Sequence, residues 1–73
     1  MTRLPVISAR ECVAALEKAG FYVTRQRGSH INMRRDNPFA RVVIPNRKEL
    51  KKGMLRAIIR QAGVTVDEFV DLL

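Results

Sequence analysis

One histidine, His30, stands in a chain of 73 residues. It follows the turn-forming pair Gly28-Ser29 and lies in the most basic stretch, among Arg25, Arg27, Arg34, Arg35 and Arg41. Imidazole is the one side chain that gives and takes protons readily near neutral pH. Guanidinium groups grip phosphates through paired, planar hydrogen bonds. A proton-transfer group set among phosphate-binding groups suits RNA cleavage. RNA carries its own nucleophile, the 2′-hydroxyl. A neutral imidazole can take that proton as the oxygen attacks the neighbouring phosphorus, which leaves a 2′,3′-cyclic phosphate. Arginines would offset the charge that builds on the phosphoryl oxygens. With no second histidine to act as acid, Lys48, an arginine or water must protonate the leaving oxygen. The competing assignment is a surface histidine or a hydrogen-bonded packing histidine, on a domain that binds RNA without cutting it.

The charge distribution favours a polyanionic partner. From Arg25 to Arg60 there are eleven basic and two acidic residues, 11 − 2 = +9, whereas Asp67, Glu68 and Asp71 close the chain with a net −3. Such a concentrated field on a small domain attracts nucleic acid. Lys51 and Lys52, at a predicted helix start, are further candidates for phosphate contacts. Cys12 is alone, so no internal disulfide forms, which fits a reducing cytoplasm. No apolar run reaches the roughly 18 residues of a membrane span, and no secretion signal opens the chain. Cys12 and His30 fall on different predicted surfaces and no acidic cluster is present, so no metal or other cofactor is expected.

These groups need a scaffold, and the length allows one domain, residues 1–73. A chain this short buries only about 60% of its unfolded surface, so its core is thin. Ser8-Ala9-Arg10-Glu11 has the form of a capping box, with Ile7 and Cys12 placed as a hydrophobic staple. The spacing of Ala9, Cys12, Val13, Leu16 and Ala19 predicts a helix to Ala19, ended by Gly20. Phe21 to Arg27 alternates as a strand, with Phe21, Val23 and Arg25 on one face and Tyr22, Thr24 and Gln26 on the other. Gly28-Ser29 is a two-residue hairpin turn. In the next strand Ile31 and Met33 point one way and His30, Asn32 and Arg34 the other. Asp36-Asn37-Pro38 is a second turn, and Phe39 to Ile44 a third strand in which Arg41 faces solvent or ligand. A basic loop with Arg47 and Lys48 leads to a helix ending at Ala62, with an apolar stripe of Met54, Leu55, Ile58 and Ile59. Thr65-Val66-Asp67-Glu68 opens a last short helix. The fold class is α+β: a three-stranded antiparallel sheet with helices on one face, in α-β-β-β-α order, plus a short C-terminal helix. The alternation that buries Ile31 and Met33 sends His30 to the open face.

In this order the segments Leu16-Glu17-Lys18-Ala19-Gly20-Phe21, Arg27-Gly28-Ser29-His30, Ile44-Pro45, Lys48-Glu49-Leu50-Lys51-Lys52-Gly53-Met54-Leu55-Arg56 and Gln61-Ala62-Gly63 resemble the HicA family of small bacterial toxins. The resemblance covers nearly the whole chain. It implies a fold like the double-stranded RNA-binding domain, metal-independent cleavage of mRNA with His30 at the catalytic position, and a HicB-type antitoxin as partner. Many members carry a second histidine soon after the proline matching Pro45. Here Asn46-Arg47-Lys48 stands instead, so any role of that histidine is absent or falls to Arg47 or Lys48. The expected site is thus His30 for catalysis, with Arg25, Arg27, Ser29, Asn32, Arg34, Arg41, Arg47, Lys48, Lys51 and Lys52 for RNA. The alternative is a non-catalytic module that binds double-stranded RNA by shape. A DNA-binding regulator is disfavoured, because no helix-turn-helix is evident.

Overall fold

The computed structural model describes residues 3–73; the first two residues of the expected domain lie outside them. Ala9–Lys18 forms helix α1, one residue shorter than expected because Ala19 is its C-cap. The capping box at its start is complete. The Glu11 amide donates to Ser8 Oγ at 3.1 Å, and the Ser8 amide donates to Glu11 Oε1 at 3.0 Å. Ile7 and Cys12, the staple positions, are both buried.

Tyr22–Arg27, His30–Asp36 and Phe39–Pro45 form strands β1, β2 and β3, paired antiparallel in the order β1-β2-β3. The β1–β2 turn is the pair Gly28-Ser29, between the register partners Arg27 and His30. Gly28 has φ +57°, and no other residue type among those described has positive φ, so the turn follows the II′ pattern with Gly first. The β2–β3 turn is Asn37-Pro38, joined by a cis peptide.

Lys52–Ala62 is α2, ended by Gly63 in the left-handed conformation, and Val66–Asp71 is α3, capped by Thr65 with Glu68. Both main helices pack against β3. The core they close contains Ile31, Met33, Val42 and Ile44 from the sheet, Leu16 from α1, Leu55 and Ile58 from α2, and Phe69 from α3. Met54 departs from its expected place in the α2 stripe. The buried positions are Leu55, Ile58, Ile59 and Ala62, an unbroken helical spacing that leaves Met54 outside. In α3 Phe69 is buried and Val70 half-buried; its C-cap Leu72 is half-buried, and Leu73 beyond it is exposed.

β1 breaks the expected alternation. Val23 pairs with Met33, but the next pair is Arg25 with Asn32, so Thr24 is an inserted residue. Such a bulge turns the rest of the strand over relative to its start. Beyond it Arg25 shares a face with Tyr22 rather than with Val23, and Gln26 takes the helix side opposite Ile31. The assignment of Arg25 to the Phe21 and Val23 face is therefore corrected by one inserted residue.

Candidate nucleic-acid interface

Directly paired residues of an antiparallel sheet point to the same side. The register therefore builds the open face as rows across the strands. Arg27, His30 and Pro45 form the first row, and Arg25, Asn32 and Val43 the second. Tyr22, Arg34 and Arg41 form the third, and Asp36 and Phe39 the last. Asn32 and Pro45 are half-buried; the others are exposed. His30 thus sits at one end of an uncovered face, with the Arg27 guanidinium as its cross-strand neighbour.

The loop after β3 is fastened beside that end. The Asn46 amide donates to the Ser29 carbonyl at 2.6 Å, and the Ala9 amide donates to the Arg47 carbonyl at 2.9 Å. These bonds hold the hairpin turn, the basic loop and the start of α1 together. A cleft of about 490 Å³ lies there, lined by Ser8, Arg10, Asn46, Arg47 and Lys48. Arg10 was not foreseen as a site residue. It belongs to α1, and only the long-range bond at Ala9 brings it next to Arg47; no local sequence signal marks it.

Not every expected arginine faces a ligand. Arg35 follows the Ile31 and Met33 alternation to the helix side. Its Nε donates to Pro38 O at 3.0 Å, Nη1 to Ala19 O at 3.4 Å and Nη2 to Ala62 O at 3.2 Å. Its guanidinium lies 4.7 Å from the centre of the Phe21 ring. Both helix carbonyls are at C-terminal ends, where a cation is favoured. Arg35 is a fastener of the fold, not a member of the phosphate-binding set. Lys51 and Lys52 are exposed but belong to the helix layer, as N-cap and first residue of α2.

Arg34 is on the open face but already partnered. Its Nε donates to Asp36 Oδ1 at 2.7 Å, and the Tyr22 hydroxyl donates to Asp36 Oδ2 at 2.8 Å. Arg34 also stands 5.2 Å over the Phe39 ring. The Tyr22 hydrogen bond, with that of Arg34 behind it, holds the Asp36 carboxyl below the ordinary carboxylate range. The same Tyr22–Asp36 bond pushes the Tyr22 phenol up. The Tyr22 ring lies on the open face, opposite Arg34.

Among the described residues no group of three or more His, Cys, Asp or Glu side chains gathers as a metal site would require, and no helix is long and apolar enough to cross a membrane. The α-β-β-β-α order, followed by a short third helix and with one uncovered, basic antiparallel face, defines a small α+β domain with its helices packed on one side of an open sheet. A family model described as HicA toxin of bacterial toxin-antitoxin matches residues 9–64, from the start of α1 to just past α2, and the chain belongs to that family. It is accordingly the toxin of a toxin–antitoxin pair, with an antitoxin as its partner. No curated protein matches the chain significantly.

Proposed function

We propose that this toxin is an endoribonuclease that cuts mRNA at the His30 end of the open face. The observation that carries this reading is the first row: an exposed imidazole paired across the strands with Arg27. In the reaction the neutral His30 ring takes the proton of a 2′-hydroxyl. The 2′-oxygen bonds to the adjacent phosphorus and the P–O5′ bond breaks, giving a 2′,3′-cyclic phosphate and a 5′-hydroxyl end. Lys48 or water supplies the proton to the departing oxygen. RNA brings the nucleophile, so the scheme runs without a metal, and DNA, lacking the 2′-hydroxyl, resists.

Arg27 and Arg25 are placed to hold phosphates at and next to the cleaved bond. Arg10, Arg47 and Lys48 continue the positive surface round the turn. Ser29 serves through its carbonyl, which anchors the loop, and Asn32 offers its amide beside Arg25. Arg41 lies two rows away, and Lys51 and Lys52 take phosphates outside the face. A HicB-type antitoxin neutralises the toxin by covering this surface, and the substrate places the action in the cytoplasm.

The test is His30→Ala. General-base catalysis contributes about 10²–10⁴-fold, so cleavage should fall by at least about two orders of magnitude while folding and RNA binding persist. Undiminished cutting would reject the assignment in favour of a module that only binds RNA. Activity abolished by EDTA would reject the metal-free scheme.

A further inference from the structure

The open face has two chemically different ends. Around His30 the cations Arg25 and Arg27 have no acidic neighbour within the strands, because Asp36 is the one acidic residue in β1, β2 and β3. At the far end Asp36 compensates Arg34, and two aromatic rings come to the surface. Tyr22 is 44% and Phe39 61% exposed, whereas Phe21 and Phe69 are buried. A paired carboxylate repels phosphate, but it leaves the flat faces of nucleobases unopposed. Aromatic rings and guanidinium planes on a sheet are the surfaces on which unpaired bases stack. Asp36 fixes them: it accepts from the Tyr22 hydroxyl and from Arg34 Nε, and Arg34 stands over Phe39.

We propose that Tyr22, Arg34 and Phe39 form a base-stacking subsite for unpaired RNA, two to three nucleotides along the strand from the bond at His30. The inference rests on His30 marking the cleavage point. Tyr22 pairs with Arg34, four residues along β2 from His30, which is about 13 Å. Each row step is then about 6.7 Å, near the backbone repeat of an unstacked nucleotide. The RNA runs lengthwise along β2, its phosphates at the cationic end and a base at the aromatic end. A duplex keeps its base faces stacked inside and has none to offer these rings. The substrate at this face is single-stranded, although the fold class is one associated with duplex binding.

The experiment measures binding of 2′-O-methyl oligouridylates, which resist cleavage, by fluorescence anisotropy. Stacking on an aromatic is worth a factor of roughly 5–150 per base. Tyr22→Ala and Phe39→Ala should each weaken a hexamer by such a factor and leave a dinucleotide unaffected, and Tyr22→Phe should restore hexamer binding. One abasic position in the hexamer should erase the Tyr22→Ala difference. Equal loss on dinucleotide and hexamer, or none on either, overturns the subsite. Lost antitoxin binding with RNA binding unchanged also overturns it and makes the rings a protein contact. If His30→Ala still cuts RNA, the catalytic assignment fails while the length dependence remains readable. If the parent protein binds no hexamer, both fall.

Discussion

Arg34 and Arg35 are neighbours of the same type with opposite tasks, and replacing each in turn measures the difference. Arg35→Met keeps the aliphatic stem and removes the guanidinium. Three hydrogen bonds go, two of them at 3.0 and 3.2 Å, together with the stack on Phe21. Bonds from a charged donor contribute about 1.5–3 kcal/mol each, and a partly exposed cation–π contact about 0.5–1 kcal/mol. The site is only half-buried, so water re-satisfies part of what is lost, and a net cost of about 2–3 kcal/mol is expected. For a chain of this size that is a fall in Tm of roughly 10–20 °C. Arg35→Lys should recover only part of it, since one ammonium cannot span two helix ends. Arg34→Met removes an ion pair whose side chains are 48% and 59% exposed, and should cost less than about 1 kcal/mol. Urea or thermal unfolding followed by circular dichroism reads both. Losses of similar size at the two positions, or under about 0.5 kcal/mol at Arg35, would refute the role assigned to it.

Burial pushes the Cys12 thiol up to about 12, so at pH 8 the native protein should resist a thiol reagent and react promptly in denaturant. Ser8→Ala and Thr65→Ala each remove a complete capping box and should each cost about 1 kcal/mol in unfolding experiments. The Thr65 backbone amide, then its side chain, lowers the Glu68 carboxyl below its ordinary 4.5. A depressed folded value means stability that is present above the unfolded value and lost as pH falls through the folded one. Glu68→Gln should therefore show a shallower loss of stability on acidification below about pH 4.5 than the parent, as followed by Tm against pH. Arg27→Ala should reduce the slope of log K against log salt for single-stranded RNA by about 0.7; an unchanged slope would remove Arg27 from the phosphate contacts.

The scaffold was legible because its signals are local. Ser8 with Glu11 and Thr65 with Glu68 mark helix starts by spacing alone, and Gly28 marks the turn because a II′ hairpin needs positive φ at its first residue. The Ile31 and Met33 alternation placed His30 outside, and the same count extended by two would have put Arg35 inside. What stayed hidden depends on contacts between distant segments. Arg10 joins the cleft only through the bond from the Ala9 amide to Arg47. The hydroxyl of Tyr22 and the guanidinium of Arg34 meet on Asp36 only once β1 and β2 are in register. The insertion at Thr24 left one faint trace: strict alternation would have sent Arg25 and Arg27 to the side of buried Phe21, where two cations would face the apolar interior.

That insertion separates two kinds of constraint within six residues. Val23 stands opposite Met33 on the helix side, whereas Tyr22, Arg25 and Arg27 stand on the face that meets what approaches from outside. A regular ladder that kept Thr24 and set it opposite Asn32 would carry both guanidiniums under the sheet and leave His30 without its cationic neighbour, whereas with Thr24 inserted Arg25 and Arg27 stand opposite Asn32 and His30 on the open face. The extra residue therefore acts as a half-turn in the strand, bringing Arg25 and Arg27 to the side that already carries Tyr22, and absorbing it into regular pairing would undo the arrangement.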